Sequence, residues 1–423
     1  MSTHKPSEFE RVDHVLQRIL ASITPITQSE WLPILDASGR VLAQDVVAPE
    51  SLPAAPVSAM DGYALSSTGA VAKQADSGAL HLAVTGKSLA GRQLEGVADP
   101  VGAVRIFTGA VVPECYDCVV PQELVVSTSS DKLVVIRCED IRKGLHVRHV
   151  GEDVRKGDVL VASGQQLGAR EIALLAQTGC ARVLVHRQLK VSVVSIGDEL
   201  RNVHQPLNTG LIHDSNRLML LDLVHRAGAQ AIDLGITPDD PASLRSALSQ
   251  AASVSDLVIS SGGVSVGEAD HTRKVLDELG EIKFWRLAIK PGRPLAYGFI
   301  EKEDKSQTPF FGLPGNPVAS YVTFLAIVRY ALARRAGQDP LVTAPSIRAR
   351  LLKATAKNVG RTEYLRCWLR PAEDGGWSAE VMPSQGAANL LSLAQADGLV
   401  VLPHALGALE AGSWVDVIDL HER

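Results

Sequence analysis

Aromatic residues are scarce in this chain, only 4% of its composition, and their scarcity removes a class of function. Proteins that bind single strands of nucleic acid without sequence preference stack the bases on aromatic side chains. An excess of charge of one sign is also lacking: 42 Lys and Arg against 47 Asp and Glu leave a formal net charge of -5. A general nucleic-acid binder more often carries a basic face, so no nucleic-acid partner is expected, and any anion is held locally. Cysteine is sparse and odd in number: Cys115, Cys118, Cys138, Cys180 and Cys367. That does not make a disulfide framework. Cys115 and Cys118, in PECYDCVVP, form the one C-x-x-C. A redox pair or half of a zinc site is the sharper reading, and two incidental loop thiols the stronger one, because no second C-x-x-C exists. No segment approaches the roughly 20 apolar residues of a membrane span. The N-terminal MSTHKPSEFERVDHVLQRIL reads as an amphipathic helix rather than a signal peptide. A cytoplasmic protein without a membrane partner is expected.

A chain of 423 residues exceeds one ordinary core and points to several domains. Residues 8–22 read as a helix with Phe9, Val12, Val15 and Ile19 or Leu20 on one face. Short Val- and Ile-rich runs separated by Gly, Pro and Asp follow, among them ALHLAVTG, AVRIFTGAVVP, DCVVPQE and KLVVIRC. They predict a small β module over 54–146. Residues 8–53 and 147–186 flank it as a mixed N-terminal region, with a short helix ending at Gly179. From 187 the rhythm becomes strand, helix, strand, helix, and predicts a parallel α/β domain over 187–340. Asp214 or Ser215 is the N-cap of one helix and Gly228 its stop. The residues EKEDKSQT read as a polar hairpin or loop, and Pro317 opens a long helix. Short strands return over 341–423 as a C-terminal β domain. The fold class is thus α/β plus β: an elongated multidomain chain with a central parallel α/β domain, a small N-terminal β module and a C-terminal β domain.

In open α/β sheets ligands sit at the carboxyl ends of the strands. Four such ends stand out here: SIGDEL, LGITPDD, SSGGVSVGEAD and FFGLPGNP. The first carries Asp198 and Glu199, and the third carries Glu268 and Asp270 behind Gly262 and Gly263. Adjacent glycines let backbone amides approach a phosphate, and carboxylates beside a phosphate suit a divalent metal. No Gly-Lys-Ser/Thr follows, so this is not a Walker loop. Taken alone, a glycine turn after a strand is ordinary βα geometry, and Asp270 serves equally as a helix cap. In FWRLAIKPGRPLAYG, Arg286, Lys290 and Arg293 gather around a stiff Pro-Gly turn. The bland reading is a solvated turn; the apolar flanks favour a pocket edge that binds anions. Asp61 in PVSAMDGYAL and Arg148, Glu152 and Asp153 in RHVGEDVRKGD complete the candidates, each plausible as simple turn chemistry.

Together these segments resemble the molybdopterin molybdenumtransferase family, which includes bacterial enzymes and the C-terminal domain of gephyrin. SAMDGYA, IFTGAVVP, VGED, SIGDEL, DSN, SSGGVSVGEAD, LAIKPGRP and GLPGNPVAS carry the likeness, which runs from about residue 10 to 420. The resemblance implies an enzyme that takes adenylylated molybdopterin and molybdate as substrates. With magnesium as cofactor it inserts molybdenum and releases AMP. It implies an elongated homodimer whose site joins the α/β domain of one subunit to the N-terminal β region of the other. Molybdopterin adenylyltransferase, apo-molybdoenzymes and their chaperones are the partners it suggests. By position, Asp61, Asp153, Glu199, Asp270 and Lys290 correspond to catalytic residues, with Glu199 and Asp270 as metal ligands. Thr108, Arg148, Asp239, Gly262, Gly263, Arg286, Arg293, Pro314 and Pro317 are the expected substrate-binding residues. Arg286 stands where many members have lysine, and the two differ in geometry and hydration. PSQGAANLLSLAQADG departs from the more Gly- and Ser-rich form of the family. Two rivals remain: the adenylyltransferase, a single small domain that the flanking β modules disfavour, and a scaffold that binds peptides.

Overall fold

A computed structural model of the chain describes residues 9–71, 78–129, 132–263, 270–339, 346–373 and 375–421. At its centre is a six-stranded sheet. The strand order is Gln230–Thr237, Lys190–Ile196, Leu257–Ser261, Gln307–Leu313, Pro294–Glu301 and Gly280–Arg286. The first four run parallel. The last two are antiparallel to their neighbours, which corrects the expectation of a wholly parallel sheet. The physical reason lies in the connections. Parallel neighbours need a long crossover, whereas a short turn can only reverse the chain. EKEDKSQT is such a turn, closing a hairpin where Glu301 faces Gln307.

Lys190–Ile196 is buried at every residue after Lys190. A continuous apolar run of this kind marks a strand covered on both faces. The helix Ser215–Arg226 is capped by Asp214, which accepts from the amide of Arg217 at 3.1 Å. Asp240 caps Pro241–Val254 by accepting from the amides of Ala242 and Ser243, both at 3.1 Å. The N-terminal helix spans Val12–Ser22 and sends Val12, Val15 and Ile19 into the central core. It starts later than the periodicity suggests because Glu10 is committed to an extended contact: its amide donates to the carbonyl of Arg286 at 2.8 Å. Pro317–Thr323 opens the long helix, which continues through a π-helical stretch, Phe324–Val328, to Arg335.

The N-terminal β module is a seven-stranded sheet. One of its strands, Cys118–Pro121, is wholly buried. Cys118 is therefore a core residue rather than a loop thiol, while Cys115 lies in the preceding loop. Burial pushes both thiols above their ordinary range, away from the thiolate form that binds metal. The C-terminal sheet closes into a ring where Thr362–Pro371 pairs with Gly398–Leu402. Closure removes exposed strand edges. One strand of this sheet hangs outside the ring: Ile289–Lys290, from the central region, pairs in parallel with Thr362 and Glu363. No helix among the described residues is long and apolar enough to cross a membrane.

Candidate functional site

The carboxyl ends of the central strands converge on a cleft of about 690 Å³. It is lined by Glu199, Asp239, Gly262, Gly263, Lys290, Arg293 and Pro314, all singled out from sequence, and by Gly197, Asn316 and Gln385. A larger cavity of about 1070 Å³ lies elsewhere, between the Ser163–Gly168 loop and the end of the long helix, and contains none of the candidate residues. Chemistry rather than size therefore points to the smaller cleft.

Its floor depends on close backbone approach. Gly262 has a φ of +85°, and a Cβ there would stand 2.5 Å from the carbonyl oxygen of Ile196. Only glycine fits. Glu199 is exposed and folds back over the preceding turn: a Cβ on Gly197 would lie 2.4 Å from its Oε2. Asp239 accepts from the Thr272 hydroxyl at 3.3 Å, and its amide donates to Asp198 at 3.3 Å. Lys290 lines the same cleft with its side chain 45% exposed. Arg293 joins it there, its guanidinium 5.1 Å from the centre of the Phe9 ring. The cleft thus holds acids and cations in one lining.

Several expected residues fall outside the lining. Arg286 ends the strand Gly280–Arg286, in register with Pro294, and does not line the cleft. Pro317 begins the long helix behind Pro314 and is likewise absent from the lining. Glu268 lies outside the described residues. Asp270 is the first residue of the helix Asp270–Leu279, and its side chain lies outside them too.

The N-terminal candidates form a second group. Asp61 accepts from both the amide and the hydroxyl of Thr108, each at 2.8 Å. These bonds, the amide's first, hold its carboxyl below the usual range. Arg148 pairs with Asp153 and, at 3.3 Å, with Glu152. Val57 and Ser58 pair with Arg148 and Val147, and the Ser58 carbonyl also accepts from the amide of Gly109 at 2.8 Å. One short segment, 57–61, therefore ties both pairs together. None of Asp61, Thr108, Arg148 and Asp153 lines the cleft of the same chain.

Two contributors are not apparent from sequence. Asn216 is 7% exposed and donates from Nδ2 to the Ser261 hydroxyl and to the Gly315 carbonyl, both at 2.8 Å. It fastens two cleft-forming strand ends to each other. Its neighbour Asp214 accepts from the Ser195 hydroxyl at 3.0 Å and pairs with Arg217 at 2.9 Å. Burial opposes the charge on Arg217, and hydrogen bonds to Asp233 and Asp214 outweigh it. The available signal is the acid-Ser-Asn triplet at a helix start, which a capping argument alone explains too cheaply. The second contributor is Gln385, in the C-terminal segment that departs from the family pattern. Its amide bonds the carbonyls of Arg366 and Met382 at 3.0 and 2.9 Å, and Ala387 accepts from the amide of Val318 at 3.0 Å.

For a metal the donor set is sparse. Among the described residues no group of three His, Cys, Asp or Glu converges. Glu199 and Asp239 nevertheless bring hard oxygen donors into one cleft beside glycine amides. Magnesium usually takes one or two carboxylates, keeps several waters and shares substrate phosphates. The residues present fit that habit, and fit poorly with an all-protein metal cage.

Three sequence-family profiles match the chain in order. They are the MoeA N-terminal region (domain I and II) over residues 10–179, a probable molybdopterin binding domain over 192–334, and the MoeA C-terminal region (domain IV) over 348–420. A molybdopterin molybdenumtransferase of Haemophilus influenzae is 38% identical over 96% of this chain and 97% of its own length. Gephyrin of Dictyostelium discoideum is 31% identical over 96% of this chain and 62% of its own. Among solved structures, a molybdopterin biosynthesis moeA protein from Pyrococcus horikoshii OT3 superposes with a TM-score of 0.82 at 26% identity. It covers 97% of this chain and 100% of that one.

Proposed function

The chain belongs to the MoeA family of molybdopterin molybdenumtransferases, and we propose that it inserts molybdenum from molybdate into adenylylated molybdopterin, releasing AMP. The observation that carries this reading is the cleft itself. Gly262 and Gly263, the carboxylates of Glu199 and Asp239, and the cations Lys290 and Arg293 line one volume of about 690 Å³. A pyrophosphate-linked substrate and a molybdate dianion both need such focused cations in a protein of net negative charge. Lys290 and Arg293 would hold oxyanions, and the amide of Gly263 would face a phosphate. Glu199 and Asp270 would hold magnesium, with Asp239 in the same cleft as Glu199, and the metal would polarise the phosphoryl oxygen.

The second group supports a composite site. Asp61, Thr108, Arg148 and Asp153 are tied together yet stand apart from the cleft of their own chain. In the proposed homodimer they complete the cleft of the partner. The division into a mixed N-terminal region, a small β domain, an α/β domain and a C-terminal β domain is part of the same proposal, as is a cytoplasmic location.

The test is incubation of the purified protein with adenylylated molybdopterin, magnesium and molybdate, following AMP. Release that depends on molybdate is expected. Tight substrate binding with no release under any metal would sink the catalytic reading and favour a scaffold.

A further inference from the structure

Glu363 is an acid buried where an acid is costly. The residue is 1% exposed, and removing an isolated carboxylate from water is strongly unfavourable unless cations compensate it. Arg361 does so at 2.7 Å through Nε, two residues earlier in the chain. That contact alone would satisfy the charge. Yet a second cation arrives from a different part of the fold: Nζ of Lys290 lies 3.5 Å from the other carboxylate oxygen.

Backbone register makes this second contact. Ile289 faces Thr362 and Lys290 faces Glu363 in a two-residue parallel ladder, and the amide of Thr362 donates to the carbonyl of Ala288 at 2.8 Å. The C-terminal ring thereby staples the cation turn of the cleft. At 3.5 Å the Lys290 contact is longer than a strong charge-assisted hydrogen bond. The carboxylate restrains the ammonium without consuming its donors, and the side chain, 45% exposed, remains open to the cleft. Lys357, 7% exposed, is not paired with Glu363: it donates to the Leu406 carbonyl at 2.7 Å, and burial pushes its ammonium below the usual lysine range. One buried acid therefore pairs with two cations, Arg361 and Lys290, and only Lys290 of the two lines the cleft.

We propose that Glu363 is a positioning residue for the transfer reaction: it fixes the Lys290 ammonium at the edge of the cleft. The role rests on the functional reading above, and its test includes a readout that does not.

Lys290 acylation by a water-soluble acetylating reagent, followed by peptide mass spectrometry, is compared with acylation of the exposed Lys143 in the same sample. The Glu363 contact holds the Lys290 side chain against the C-terminal ring, so Glu363→Gln should free it to the reagent and raise Lys290 labelling by about threefold or more, with Lys143 unchanged. In the AMP-release assay the same variant should lose about tenfold in kcat/KM. The double variant with Lys290→Met should be no worse than Lys290→Met alone, because the two act as a unit. Glu363→Asp keeps the charge but retracts it, and should fall between the two in labelling; it also serves where Glu363→Gln fails to fold. Unchanged Lys290 labelling in a folded variant, or strictly additive losses, would overturn the proposal. Absent AMP release by the unmodified enzyme would instead remove the functional reading, leaving the labelling result to decide the positioning.

Discussion

The cleft and the N-terminal polar cluster hold the same kinds of residue and differ in what their charges face. In the cluster, Asp61 is answered by Thr108 from a distant part of the chain, and Arg148 by Asp153 and Glu152 within its own loop. In the cleft, Glu199 and Asp239 share one lining with Lys290 and Arg293 around open volume. Charges that satisfy each other organise a loop; charges held apart by a scaffold can bind something between them. The first group therefore reads as a preformed face, and the second as a receptacle.

The largest effects should come from the receptacle. Lys290→Met and Asp270→Ala should each lower molybdate-dependent AMP release about a hundredfold or more while leaving the thermal transition in place. Full activity in either variant would remove that residue from the chemistry. Gly197→Ala should be milder, about tenfold, because the added methyl group displaces the Glu199 carboxylate rather than deleting it. A normal rate would mean that the placement of Glu199 does not matter. Asn216→Ala tests the frame instead of the chemistry. Losing buried bonds to Ser261 and Gly315 should cost about 1–3 kcal/mol in denaturant unfolding, and a neutral result would show that the strand ends hold without it.

Much of this division is legible in the amino-acid sequence. Strand ends, caps and glycine turns are local features, and Asp214, Asp240, Gly262 and Lys290 can be read from their neighbours alone. What escapes such a reading is non-local. The antiparallel edge of the central sheet depends on a hairpin returning beside Leu257–Ser261. Arg286 and Lys290 look equivalent in RLAIK, but only Lys290 is carried into the cleft by pairing with the C-terminal ring. Asn216 and Gln385 are ordinary polar residues whose significance is a matter of which distant carbonyls they meet.

The smallest expected effect concerns the face. Asp61 is held below its ordinary value of 3.8 by Thr108. Its ionised form is the one stabilised, so the Asp61–Thr108 contact should persist through neutral pH and weaken only as pH falls through the lowered folded pKa. Thr108→Val should move the Asp61 titration, followed by carbon-detected NMR, upward toward the ordinary carboxylate range. An unmoved titration would show that the hydroxyl contributes nothing beyond the amide.

The comparison is tested most directly by mixing two inactive chains. One carries Asp61→Asn on the face and the other Lys290→Met in the cleft, and the two are unfolded and refolded together. If the face of one subunit completes the receptacle of the other, random pairing leaves half the dimers with one intact site, and activity should return to about a quarter of the unmodified level. If the mixture stays as inactive as its components while each variant dimerises normally, the face and the receptacle do not form one site.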